Sequence, residues 1–205
     1  MTVTHNAIIE AEARISTYKI ETPLLSSDRL NQKLPFDLFI KADCLQRTGS
    51  FKFRGACNAV FSLQEPGQPV LAYSSGNHAQ AVALAARLSG RSATIVMPET
   101  TPDVKVNAVR ARGAEVVLAG DAFDAAFAKS QEIMAQTGQV YVHPFDDLDT
   151  IAGQGTIGME LLRQIEGDID AVFIPVGGGG LIAGVAAYIK YLRPEIKVIG
   201  VEPTD

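Results

Sequence analysis

Short, continuously apolar runs alternate along the chain with longer segments in which apolar positions return every three or four residues. The runs at 37–42, 70–74, 93–97, 115–118, 140–143, 171–176 and 197–201 predict strands. The periodic segments at 4–18, 50–63, 79–88, 102–112, 122–136, 157–165 and 181–192 predict helices, the first with Thr4 as its cap. Strands without a polar face, separated by helices, imply parallel sheets covered on both sides, so the fold class is α/β. No internal repeat or low-complexity segment interrupts the alternation, and no linker marks a domain boundary by composition.

Composition narrows the function classes. The 205 residues include 18 basic and 23 acidic side chains, a formal charge of −5, which leaves no basic footprint for nucleic acid. Apolar residues make up 47% of the chain, enough for a sizeable core. The opening Met1-Thr2-Val3-Thr4-His5-Asn6 has neither a basic nor an apolar leader pattern, and the apolar runs are broken well short of a membrane span. Cys44 and Cys57 have no metal-ligand spacing and are expected to be buried free thiols in a reducing, cytoplasmic setting.

Three segments carry candidate chemistry. In Thr48-Gly49-Ser50-Phe51-Lys52-Phe53-Arg54-Gly55 a lysine lies between two aromatic residues at a predicted helix start. Desolvation there disfavours the ammonium form and frees the amine as a nucleophile, the requirement for a lysine that forms a Schiff base. Gly177-Gly178-Gly179-Gly180 joins a predicted strand to the helix that begins at Leu181. Glycines allow close backbone approach, and the first amides of a helix favour an anion, so a phosphate is the expected guest. Ser74-Ser75-Gly76-Asn77-His78 forms a second strand–turn–helix junction, suited to a carboxylate or phenolate oxygen. A reactive lysine, a phosphate cradle and an anion-binding turn together point to pyridoxal phosphate.

With IKADCLQR leading into TGSFKFRGA, followed by SSGNHAQA, HPFDD, IAGQGTIGMELL and GGGGLIAG, the chain resembles the threonine dehydratase and serine racemase family of pyridoxal-phosphate enzymes. The motifs stand in the family's order from Lys41 to Glu202. The resemblance implies the tryptophan-synthase-β type of fold. A large cofactor-binding domain would be formed by 1–54 and 145–205, and a small α/β domain by 55–144. It further implies that Lys52 carries the cofactor and acts as base at Cα, that Phe51 contacts the ring face, and that Asn77 partners the phenolic oxygen. Gly177, Gly178, Gly179, Gly180 and Leu181 match the phosphate loop. Ser74, Ser75, Asn77 and His78 match the turn that holds the substrate carboxylate, and Ser75 stands where the racemase places an acid/base opposite the lysine. Capping or packing is the expected side-chain role of His78, and His143 is expected to be structural.

The resemblance implies a dehydratase (ammonia-lyase) that converts a β-hydroxy amino acid, L-threonine or L-serine, to a 2-oxo acid and ammonia. Phe145-Asp146-Asp147 after His143-Pro144 looks more dehydratase-like than racemase-like. Serine racemase and 3-hydroxyaspartate dehydratase remain alternatives. Gly200-Val201-Glu202-Pro203 resembles the metal-bearing segment of the racemase branch, in which a carboxylate at the Glu202 position binds a divalent cation. Mg²⁺ takes about six ligands, and the others are expected past Asp205; a solvated strand-end glutamate is the alternative. The partners implied are a small amino-acid substrate and a second copy, as a dimer or tetramer, with neither nucleic acid nor membrane. Ending at Asp205 is expected to leave the last strand without a crossover helix, with the C-terminal part of the large domain absent. A truncated, non-catalytic protein that binds the cofactor or a partner is the reading from another class.

Overall fold

The computed structural model describes residues 2–204. Helix α1 (His5–Ile15) begins where Thr4, extended at φ −100, accepts a hydrogen bond from the Ala7 amide at 3.2 Å. That contact satisfies one of the free amides of the first turn. The helix buries Ile8, Ala11 and Ile15 on one face.

The chain then forms β1 (Leu24–Ser26), a single helical turn α2 (Asp28–Asn31) and β2 (Phe39–Lys41). β1 and β2 pair antiparallel, Leu24 opposite Lys41. This corrects the expectation of parallel pairing for the 37–42 run, and β1 was not expected at all. Three residues carry too little pattern to declare a strand, and a short connection can join only antiparallel neighbours.

From α3 (Lys52–Ser62) onward the strand–helix alternation holds. β3 (Val70–Tyr73), α4 (Asn77–Leu88), β4 (Ala93–Met97), α5 (Asp103–Arg110), β5 (Glu115–Leu118), α6 (Phe123–Thr137) and β6 (Val140–Tyr141) build a four-stranded sheet. Its order is β5-β4-β3-β6 and every pairing is parallel. Val70, Leu71, Ala72 and all of β4 are buried, as strands covered on both faces require. A second parallel pair, β7 (Ala171–Pro175) and β8 (Lys197–Val201), follows α7 (Leu148–Gln164) and brackets α8 (Gly180–Leu192). One face of this pair packs on α7 and α8, while Phe173 (66% exposed) and Val201 (51%) stand open. The open face and edge are those expected from the sequence.

α7 differs most from expectation, since it starts at Leu148 and not near 157. The expected helix at 157–165 left out the glycines of IAGQG, yet here they lie within α7 and serve helix contact. A Cβ at Gly153 would come within 2.5 Å of the Arg54 carbonyl oxygen, and one at Gly184 within 2.3 Å of that of Ile151. Backbones therefore cross at the α3–α7 and α7–α8 contacts with no side chain between them. The apolar interior divides into three clusters. One runs through α3, α4, β3 and β4, one through α7, β7, α8 and β8, and a small one joins α1 to α7. Among the described residues no helix is long and apolar enough to cross a membrane.

Candidate active site

Lys52 is the first residue of α3 and is half-buried. Phe51 precedes it in helical conformation (φ −55), and its ring lies 5.2 Å from Lys52 Nζ. Burial holds the lysine below its ordinary pKa of 10.5, the direction a nucleophilic amine requires. Lys52 Nζ donates to the Pro144 carbonyl at 2.7 Å. Lys41 is the informative contrast. It is also lowered by burial, but its ammonium is held by Glu160 at 2.6 Å, by the Thr22 carbonyl at 2.6 Å and by Gln164 at 2.8 Å. An amine tied to three oxygens, one of them a carboxylate, is structural.

Opposite Lys52, the glycine tract leaves β7 and enters α8. Gly179 has φ +84, in the left-handed region that favours glycine. Gly178 and Gly180 are required for another reason. A Cβ at Gly178 would lie 2.3 Å from the Phe145 ring, and one at Gly180 would lie 2.6 Å from the Phe145 carbonyl oxygen. At Gly177 nothing would meet an added Cβ within 4 Å. α8 starts without a side-chain cap, so its first amides have no hydroxyl or carboxylate to satisfy them. Phe51, Lys52, Phe145, Pro175, Val176, the four glycines and Leu181 line one pocket of about 290 Å³. Uncapped amides, open space over glycine and a neutralisable amine on the facing wall fit the phosphate and aldehyde ends of pyridoxal phosphate.

The structure therefore brings Phe51, Lys52, Gly177, Gly178, Gly179, Gly180 and Leu181 together. Phe145, Pro175 and Val176 join them, and sequence reasoning missed all three, since apolar residues carry no chemical signal. Ser74, Ser75, Asn77 and His78 form a neighbouring turn outside that pocket's lining. There the Gly76 amide donates to Ser74 Oγ at 3.2 Å, and Asn77 is exposed as the first residue of α4. The His78 ring is buried, and its Nε2 donates to the Val142 carbonyl at 2.8 Å. Burial pushes this imidazole down to about 4 against the opposing effect of that carbonyl, so it is neutral at ordinary pH. The ring packs, as the sequence suggested, and its backbone amide remains among the free donors of the α4 start. Cys57 is buried as expected and is pushed up to about 12 by burial, but Cys44 is exposed. Glu202 is exposed beyond the end of β8, and no group of three or more metal-ligating side chains occurs among the described residues.

Behind Lys52 lies an ion network with no local sequence signal. Arg54 is fully buried; Nη1 and Nη2 donate to Glu160 at 2.6 and 2.9 Å, while Nε and Nη2 donate to Asp43 at 2.9 and 2.8 Å. Lys19 reaches Glu160 at 2.5 Å. Burial alone would raise the Glu160 carboxyl, but Arg54, Lys19 and Lys41 together hold it down at about 2. The network clamps the start of α3 to α7, two residues past the lysine.

Comparison with known proteins agrees with this geometry. The family model described as pyridoxal-phosphate dependent enzyme matches residues 15–205. A biosynthetic threonine dehydratase 1 of Solanum lycopersicum is 49% identical over 187 residues, 90% of this chain and 31% of that protein. A serine racemase of Arabidopsis thaliana is 44% identical over 199 residues, 96% of this chain and 60% of that protein. The solved structure of maize serine racemase matches with a TM-score of 0.95 at 39% identity, over 100% of this chain and 62% of its own. The chain thus spans 31 to 62% of the length of these relatives.

Proposed function

The chain belongs to the pyridoxal-phosphate-dependent enzyme family, and on that premise we propose that it serves a dehydratase (ammonia-lyase) that converts L-threonine or L-serine to a 2-oxo acid and ammonia. The observation that carries the reading is the half-buried Lys52 amine, lowered by desolvation, facing uncapped helix amides across one small pocket. The threonine dehydratase relative is the more similar of the two sequence relatives compared, at 49% against 44% identity.

Amides of Gly177, Gly178, Gly179, Gly180 and Leu181 would hold the phosphate, Lys52 the carbonyl carbon, Phe51 the ring face and Asn77 the phenolic oxygen. When bound, the cofactor supplies an electron sink that makes the substrate Cα–H acidic. Ser74 and the amides at the α4 start would receive the substrate carboxylate. Lys52 would take the proton from Cα, the β-hydroxyl would take up a proton and leave as water, and hydrolysis of the released enamine would give the 2-oxo acid and ammonia. Ser75 would serve the opposite face if the stereocentre is inverted, the second reading, supported by the fold match to a serine racemase. The two-lobed division at 54/55 and 144/145 belongs to the same proposal. The separate apolar clusters support it, although the first boundary falls inside α3. The homo-oligomer and the divalent cation at Glu202 belong to the proposal through the resemblance, and the cytoplasmic setting through the two free thiols.

The test loads the full chain with pyridoxal phosphate, reduces it with borohydride and maps the pyridoxyl group. A parallel assay follows 2-oxobutanoate from L-threonine, pyruvate from L-serine, oxaloacetate from 3-hydroxyaspartate, and D-serine. Modification of Lys52 with 2-oxo acid from threonine or serine is expected. Modification of Lys41 overturns the site, D-serine as the main product establishes the racemase, and cofactor binding without any product favours the non-catalytic reading.

A further inference from the structure

The segment between β6 and α7 presents three consecutive carbonyls to three different partners. Val142 accepts from the His78 ring, His143 accepts from Thr150 Oγ1 at 3.1 Å, and Pro144 accepts from Lys52 Nζ. What shapes this segment is the His143 side chain. Its Nδ1 accepts the backbone amides of both Phe145 and Asp146, at 3.2 and 2.7 Å. A ring nitrogen that accepts carries no proton, which assigns the neutral Nε2–H tautomer. The turn folded around it has Pro144, with its fixed φ, at the position that faces the lysine. Phe145, the next residue, is the one against which Gly178 and Gly180 are packed. One side chain thus organises the contact to the lysine and the support of the glycine loop.

We propose that His143 is a positioning residue for Lys52, its Nδ1 gathering the Phe145 and Asp146 amides so that the Pro144 carbonyl holds the lysine amine and the Phe145 ring supports the glycine tract. The proposal deepens the functional reading above and takes its catalytic meaning from it. Asn at this position is the conservative replacement, because its Oδ1 accepts from amides further along the chain in the same kind of turn and cannot become a donor cation.

The device is open to acid. Protonation puts a hydrogen on Nδ1 and turns both accepted bonds into N–H against N–H. The groups around the ring are the Tyr141 and Phe145 rings, edge-on at 5.7 and 4.7 Å, the Asp146 and Asp147 carboxylates, Lys52 and His78. Burial and Lys52 disfavour the imidazolium while the two carboxylates favour it, and the net direction is below the ordinary 6.5. The turn is therefore complete above that pH and loosens below it.

The experiment uses cofactor-free full chain and two readouts that need no turnover. Amide exchange and NMR shifts of Phe145 and Asp146 are followed with pH, and the rate at which pyridoxal phosphate becomes borohydride-trappable on Lys52 is measured. In wild type, both amides are expected to titrate together with the His143 ring. His143→Ala should expose them and slow attachment by roughly tenfold, the effect of losing one or two hydrogen bonds. His143→Asn should restore protection and attachment and remove the acid dependence of both. Wild-type amides that ignore the titration of His143 overturn the proposal even if neither variant folds. An Asn variant that folds yet behaves as the Ala variant also overturns it, as does an attachment rate unmoved by His143→Ala. Amides that follow His143 while the pyridoxyl group maps to another lysine uphold the turn and sink the cofactor-lysine reading.

Discussion

Glu160 shows how a single buried charge can govern a site it does not enter. Its side chain is fully buried and receives Arg54, Lys19 and Lys41. Asp43 and Glu12, the other anions of the cluster, are less buried and reach Arg54 and Lys19 at 2.8 and 3.2 Å. Breaking a buried ion network by removing one partner costs about 3–5 kcal/mol, because the charges left behind remain desolvated. Glu160→Gln is expected to lower stability by that amount in urea unfolding at pH 7, and an unchanged midpoint would sink the clamp. None of this was legible in sequence order, since Lys19 and Glu160 are separated by 141 positions. Lys52 was legible, because its aromatic neighbours and its place at a helix start are local facts.

At the scale of elements, α7 is set by what it touches. Its start is fixed by Asp147, whose carboxylate accepts the Thr150 amide at 2.7 Å, a cap readable from the sequence once the helix is known. Its glycines lie where backbones meet: besides the Arg54 carbonyl, a Cβ at Gly153 would lie within 2.7 Å of Gly55 Cα. Helix propensity alone favours alanine over glycine by about 1 kcal/mol. Gly153→Ala is nevertheless expected to destabilise by about 1–3 kcal/mol, because rigid backbone must move to admit the methyl. Thermal unfolding decides the sign, and a rise in Tm would refute the close crossing. The same argument explains why the helix was read too short: glycine breaks helices on average, and only packing reverses that.

For the whole molecule, buried histidine and carboxylate combine into an acid limit on stability. His78 is about 4 in the fold against an ordinary 6.5, so the unfolded chain takes up its proton first. Its contribution is complete above pH 6.5 and is lost as the pH falls toward 4, on the order of 3 kcal/mol. His143 has the same sign, its imidazole held below the ordinary value by burial. Glu160, held at about 2 against 4.5, adds a second loss below pH 4.5. Urea midpoints should therefore be level near pH 7 and decline in two stages as the pH falls from there, with His78→Asn removing most of the first. A wild-type midpoint that stays flat from pH 7 to 4.5 would overturn this account.

The sequence alone determined the α/β alternation and the parallel pairing of β3 through β6, and it singled out Lys52 and the glycine loop, which the structure brings to one pocket. Each rests on periodicity or on neighbours a few positions apart, interactions the chain makes with itself locally. Only the tertiary structure decided which lysine is engaged by a carboxylate, since Lys41 and Lys52 are both desolvated and Glu160 reaches just one of them. It alone placed Phe145 under the glycines, exposed Cys44 and turned the His78 ring inward. Burial and pairing between distant segments depend on how helices cross, and that geometry is set by the packed core as a whole.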